Sequence, residues 1–501
     1  VNNYSRMSFN FGPTLLSWME YNDPATYASI LEADRESMDR FSGHGSAIAQ
    51  CYNHIIMPLA GTIEKRMQVK WGIRDFEYRF ARKPEGMWLP EAAVDLETLD
   101  IMSENGILFT ILSPYQARRV RKISGGHWHE IRDALVDTER AYKCVLPSGR
   151  SIAVFFYNRN IAQEVAFGTM LDDGVKFAET LAGAFRGSKE TGFVNIATDG
   201  ETYGHHHRYG EMALSYALYH IEKNNLAEIT VYGEYLETHP PEYEVEVWEN
   251  SSWSCGHGVE RWRSDCGCRI GSGEGWIQDW RAPLRGVMDW LSDNLTMLYN
   301  DRISFYTDDP VRARELYINV ILERDPEIVD NFIRKITGRE LPAEDKVNVL
   351  KLLEMQRNAM LMYTSCGWFF DEISGLESVQ VMLYAARAMQ LAREISGLEL
   401  EDTFLKLLTR APSNYFAYEN GADVYMKLVK PVMIDPVRFG AHYAVSSLFR
   451  DYMDEDEVYC YCVSRRSFER LETGKQKLAV GMIHIRSRIT LEEDEVSFAV
   501  L

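Results

Sequence analysis

The stretch GMWLPEAAVDLETLDIMSENGILFTIL, residues 86–112, decides the fold class. GMWLPE (86–91) is a short apolar run ending on an acid, the middle carries apolar residues at helical spacing and closes on Gly106, and ILFTIL (107–112) is a second run of strand length. A glycine just past the last periodic residue suits the left-handed backbone that ends a helix. Two strands joined by a crossover helix run parallel, so this stretch reads as one βαβ unit. Working outward, the same rhythm extends through MSFNFG (7–12), AIAQCYN (47–53), IAVFFYN (152–158) and FVNIATD (193–199), with DPATYASILEADRESMDRF (23–41) among the helical stretches.

Six strands are therefore expected. Residue 1 is Val, VNNYSRMSFNF enters a strand-like pattern at once, and the other end stops at EVSFAVL, so both ends read as cut. With one strand lost ahead of Val1, the expectation is an α/β fold, an incomplete seven-stranded (β/α) barrel, whose reactive groups gather at the C-terminal strand ends. The catalytic barrel is expected over 1–275, a helical domain contributing to the substrate cleft over 276–435, and a truncated β-rich region over 436–501. Amphipathic helices are expected at 279–300, 310–337, 343–364 and 376–396, and alternating residues from EVYCYCVSRRSFERL onward suggest antiparallel strands. The acid-rich DYMDEDEVY (451–459) reads as a solvated loop.

A net charge of −20 and a pI near 5.2 disfavour nucleic acid and anionic membranes as partners and leave a neutral substrate unaffected. No apolar run approaches the length of a membrane span. Eight cysteines without the spacing of a disulfide scaffold point to a reducing compartment, and the expected location is cytoplasmic.

Two acids stand at strand ends. Glu91 closes WLPE, with Trp88 three residues earlier as an aromatic platform; read locally, it is a helix-start carboxylate favoured by the macrodipole. Asp199 opens the loop DGETYGHHHRYGE; read locally, it is the acid of an ordinary Asp-Gly turn. Read together, they are what glycosidic cleavage needs, one carboxyl at the anomeric centre and one on the leaving oxygen. Three adjacent histidines, His205, His206 and His207, cannot all point inward from an extended loop, so one or two at most reach the site.

The motifs CYNHIIMPLA (51–60), WLPE (88–91), TDGETYG (198–204) and MLMYTSCGWFFDE (360–372) occur in the order of successive signature regions of glycoside hydrolase family 57, which this chain resembles. The resemblance implies an incomplete (β/α) barrel and a retaining hydrolase or glucanotransferase acting on α-glucan or a related oligosaccharide. It also implies Glu91 as nucleophile and Asp199 as acid/base, with His54, Trp88 and Trp368 lining the substrate site. The family's histidine-rich first signature is not in this sequence. The aromatic residue common after the acid/base is replaced by the histidine run, and SCGWFF lacks the Asp that often precedes the Trp.

The segment SSWSCGHGVERWRSDCGCRIGSGEGW (251–276) holds Cys255, His257, Cys266 and Cys268, a donor set that suits zinc. Neither CxH nor CxC matches the two-residue spacing of a zinc knuckle, so the segment reads as a Trp-rich, substrate-facing loop with incidental thiols, in which Trp253, Arg261 and Trp262 are candidates to stack on sugar or to hold the loop in place. No metal and no cofactor is expected. One rival is a metal-dependent polysaccharide deacetylase, which needs an Asp and two histidines one helical turn apart, whereas none of the twelve histidines here is four residues from another. The other is a catalytically silent carbohydrate-binding protein, against which both retained carboxylates count.

Overall fold

A computed structural model of the chain describes residues 2–185, 192–271 and 273–501. The chain divides into two units, Val1–Trp262 and Arg263–Leu501.

In the first unit the expected strands lie side by side in parallel, although their ladders are short. Phe9 bridges Ala47; β1 (Ala49–Gln50) pairs with β2 (Met87–Trp88); Gly86 bridges Phe109; and β3 (Phe109–Leu112) pairs with the later strand β7 (Ser151–Phe156). Sequence neighbours are thus space neighbours. The run at 193–199 departs from expectation, because it is extended but makes no strand ladder. Its bonds go elsewhere: Asn158 donates its backbone N–H to the Asn195 carbonyl at 2.7 Å, and the Asn195 amide donates to the Phe156 carbonyl at 3.2 Å. A side chain has replaced the ladder partner.

Helices between these strands are set by local chemistry. Asp23 caps Pro24–Arg40 by accepting from the Thr26 N–H, and Asp95 caps Leu96–Glu104 by accepting from the Thr98 N–H at 2.7 Å. Gly106 takes φ +87°, as the C-terminal signal requires. The helix Thr62–Phe80 lies so close to β1 that a Cβ on Gly72 would sit 2.0 Å from the Gln50 carbonyl oxygen.

The sequence reading passed over a lateral extension. β4 (Ala117–Lys122), β5 (His129–Glu130), β6 (Ala141–Val145) and β8 (Tyr243–Val247) join β3 and β7 in a sheet of order β3-β7-β6-β8-β4-β5. Phe109, Ile111, Phe155, Phe193, Tyr232 and Tyr235 form a core beneath the parallel strands, and Trp88 and Trp253 pack against it.

The second unit is helical and then β-rich. Its helices include Arg281–Ile303, Ala343–Leu361 and Leu376–Ser396. The expected helix 310–337 is broken into Pro310–Leu316, Ile318–Leu322 and Pro326–Thr337, the last opened by Pro326 with Asp325 as its cap. β9 (Glu455–Val458), β10 (Tyr461–Thr473), β11 (Gln476–Ser487) and β12 (Glu493–Val500) form an antiparallel sheet of order β12-β11-β10-β9. The acidic segment expected as a loop is, over Glu455–Val458, an edge strand: only Val458 turns inward, and the charges face solvent as edge strands require.

Among the described residues, no helix is long and apolar enough to cross a membrane.

Candidate active site

His54, Glu91, Tyr157 and Asp199 follow the C-terminal ends of neighbouring extended segments in the first unit. His54 sits just past β1 in a turn whose N–H bonds the Cys51 carbonyl. The turn is gripped by fully buried Gln68, which accepts from the Asn53 N–H at 2.6 Å and donates to the Asn53 side chain at 2.8 Å.

Glu91 does not start a helix. The helix begins five residues later, at Leu96, with Asp95 as its cap, so the local reading of Glu91 as a first-turn carboxylate does not apply. Glu91 instead holds φ +57° and Ala92 φ +48°, and His54 holds φ +54°. Non-glycine residues in the left-handed region carry strain that the surroundings must hold. They are held by the 251–254 segment: Ser251 pairs with Val94, and the Trp253 N–H donates to the Glu91 carbonyl at 3.0 Å. The side chain is fixed as well, since Trp253 Nε1 donates to Glu91 Oε2 at 3.0 Å and Ser254 Oγ donates to the same oxygen at 2.5 Å. Trp88 meets Trp253 edge-on at 5.0 Å between ring centroids, and Tyr157 meets Trp253 at 6.2 Å.

Asp199 ends the extended segment and accepts the Thr202 N–H on its carbonyl, which closes the turn Gly200–Thr202. Burial of its carboxyl, then the negative charges of Glu91 and Glu201, push its pKa up to about 6, while the positive field of His206 opposes them. The charge of Asp199 in turn raises Tyr157, whose pKa is lifted chiefly by burial. His54 is lowered by burial against the opposing charges of Glu91 and Glu201. These mutual effects bring His54, Glu91, Asp199, Glu201 and His206 into one electrostatic cluster. Of the other two histidines, His207 bonds the Ala166 carbonyl through Nε2 at 3.0 Å, and His205 stacks obliquely against His206.

The remaining candidates divide by exposure. Trp88 and Trp253 are half-buried and keep an accessible face. Trp262 is 1% exposed and packs in the interior, and Arg261, 5% exposed, donates to the Ser254 carbonyl at 3.1 Å. Of the two roles expected for them, sugar contact or support of the loop, the burial of Trp262 and the Arg261 bond to Ser254 fit support. Trp368 belongs to the second unit, where it is 1% exposed, donates Nε1 to the Arg281 carbonyl and stacks on Tyr363. Ser254, Tyr157 and Glu201 were missed. Glu201 stood within the quoted motif, but nothing local marked Ser254, which is 163 residues from its partner.

By class the chain is a carbohydrate-active enzyme, a glycosyl hydrolase. Residues 8–248 match the model of glycosyl hydrolase family 57, and residues 276–501 match a domain of unknown function, DUF3536. No curated protein matches the chain. Among solved structures it is similar to an exo-type maltose-forming amylase from Pyrococcus sp. ST04, with 17% identity, 89% of this chain and 83% of that chain covered, and a TM-score of 0.66. It is also similar to a family 57 branching enzyme from Pyrococcus horikoshii, with 18% identity, coverage of 79% and 73%, and a TM-score of 0.46. At such identities the first likeness is one of fold.

Proposed function

We propose that this chain cleaves or transfers α-glucan by double displacement, on an incomplete seven-stranded (β/α) barrel, with Glu91 as nucleophile and Asp199 as acid/base. The observation that carries the reading is the division of state between the two acids. Asp199 is raised to about 6 by burial and by Glu91, so it keeps its proton up to about that pH, well above the range of an ordinary aspartate. Glu91 has Oε2 fixed by Trp253 and Ser254, which leaves Oε1 as the atom to attack an anomeric carbon.

In the first half-reaction, Asp199 gives its proton to the glycosidic oxygen as Glu91 forms the glycosyl ester. In the second, ionised Asp199 takes a proton from water or from a sugar hydroxyl that attacks the ester, and the same site thereby serves hydrolysis or transfer. Trp88 and Trp253 offer aromatic faces to the sugar beside the nucleophile. A family of glycosyl hydrolases and a fold shared with a maltose-forming amylase support an α-glucan substrate. Eight cysteines without the spacing of a disulfide scaffold support a cytoplasmic location.

The test is turnover of soluble α-glucan by Glu91→Gln and Asp199→Asn, each expected to fall by at least about a thousandfold. Azide should restore activity to Glu91→Gly with inverted configuration and to Asp199→Gly with retained configuration. Near-normal rates in either amide variant would remove the assignment, and binding of glucan without turnover by the native chain would favour a silent carbohydrate-binding protein.

A further inference from the structure

We propose that Cys255, His257, Cys266 and Cys268 hold one zinc ion in a closed structural site. All four come from a single stretch of chain, residues 255–268, so their convergence is a property of one loop. Their ligating atoms, three sulfurs and one imidazole nitrogen, all lie within 4.8 Å of one another. Around zinc, with sulfur at about 2.3 Å and nitrogen at about 2.0 Å, tetrahedral ligands stand about 3.5 to 3.8 Å apart, so a closing of about 1 Å at the widest edge completes the shell.

The short spacings argued against a metal in the sequence, and the local geometry answers that objection. Neither pair is extended: Gly256–Val259 form a turn, and Gly267 takes φ +79° between Cys266 and Cys268, so tight bends rather than knuckle spacing bring each pair of donors together. Reversal of the chain comes from Gly258, at φ +85°, where a Cβ would stand 2.3 Å from the Asn250 carbonyl oxygen, and whose N–H closes a turn on the Cys255 carbonyl at 3.1 Å. The ends of the loop are anchored. Ser252 Oγ donates to the Gly258 carbonyl at 2.6 Å, Arg281 donates to the Cys268 carbonyl at 3.0 Å, and Asp371 accepts from the Ile270 and Gly271 N–H groups. Donors arranged on a braced backbone lose little freedom on taking up an ion.

Three thiolates and an imidazole select zinc among the common divalent ions, and four protein ligands leave no position open for water or substrate. Binding releases the three thiol protons to solvent, and the site then carries a net charge of −1. Cys255 directly follows Ser254, so the ion would fix the segment that presents Trp253 and Ser254 to Glu91. That last consequence rests on the nucleophile reading of Glu91; the site itself does not.

The test uses the whole chain, purified without chelator from zinc-supplemented cells. Elemental analysis should find about one zinc per chain, and cobalt(II) exchange should give intense thiolate-to-cobalt absorption with the red ligand-field bands of a tetrahedral ion. Cys266→Ser and Cys268→Ser should each surrender the metal to a chromophoric chelator about tenfold more readily or worse, while Cys460→Ser and Cys462→Ser retain it. If the serine variants do not fold, the native chain's cobalt spectrum decides. Less than about a tenth of an equivalent of zinc together with no cobalt–thiolate band, or a disulfide mapped among these cysteines in protein kept reduced, would overturn the proposal. None of these readouts uses substrate, so failure of the metal site and failure of the carboxylate pair are separately visible.

Discussion

Trp253 holds Glu91 twice: its backbone N–H donates to the Glu91 carbonyl at 3.0 Å, and its indole N–H donates to Glu91 Oε2 at 3.0 Å. One residue thereby sets both the strained backbone and the carboxylate plane, and Ser254 adds a second donor to the same oxygen.

Removing these donors should disorient the nucleophile without unfolding the core. A hydrogen bond to a charged group contributes about 1.5 to 3 kcal/mol, so Ser254→Ala and Trp253→Phe are each expected to lower kcat by about 10- to 100-fold while KM changes little. Steady-state kinetics on soluble α-glucan checks this. A rise in KM with unchanged kcat would make both residues sugar contacts rather than orienters.

The pH profile should report Asp199. Its carboxyl is protonated below about pH 6 and ionised above it, so kcat/KM for the step that needs the acid should fall as pH rises through that value. Because the Glu201 charge raises Asp199 and His206 lowers it, Glu201→Gln should move the basic limb to lower pH and His206→Ala should move it to higher pH. Limbs that stay fixed in both variants would assign the titration elsewhere.

The same shift bears on stability. A carboxyl whose folded pKa is raised from 3.8 to about 6 contributes most to folding below the unfolded value and loses that contribution as pH rises through the folded one. Asp199→Asn removes the cost of the ionised form, so its melting temperature should exceed the native one at pH 8 and the gain should shrink toward pH 4. An equal shift at both values would rule out ionisation as the cause.

In the second unit, Glu354 is 3% exposed, accepts the Tyr317 hydroxyl at 2.6 Å and Arg324 at 2.6 Å, and lies 3.2 Å from Arg357. Its pKa falls to about 2 despite burial, because both guanidinium charges favour the anion. A depressed carboxyl contributes above its unfolded value near 4.5 and loses that contribution as pH falls toward about 2. Glu354→Gln leaves two half-buried arginines without their counter-charge and should cost about 3 kcal/mol, read as a lower urea midpoint with an unchanged m-value.

The parallel segments were legible because burial on both faces writes itself as unbroken apolar text, as in ILFTIL and IAVFFY. β4 was not, because ARRVRK is mostly charged. It is a strand only because Arg119 and Arg121 find Glu246 and Glu244 on β8 and cover Trp128, and such pairing across more than a hundred residues leaves no local mark. The run at 193–199 misled in the opposite sense: its alternation is that of a strand, yet the Asn195 side chain takes the bond a ladder would make. At the site, the acids were marked by their positions at the ends of apolar runs. Ser254 became a partner of Glu91 only through chain closure, and the four metal-type donors were hidden because turns at left-handed Gly258 and Gly267, not residue spacing, bring them together.

The left-handed backbone at Glu91 and Ala92 has an evolutionary reading. A chain freed from catalysis has no need to keep an acid and an alanine where glycine or asparagine sits at lower energy, so drift at these two positions should run toward those residues and gain stability as it goes. Persistence of the strained pair in a lineage is then a record of selection for turnover, readable without assaying any of its members.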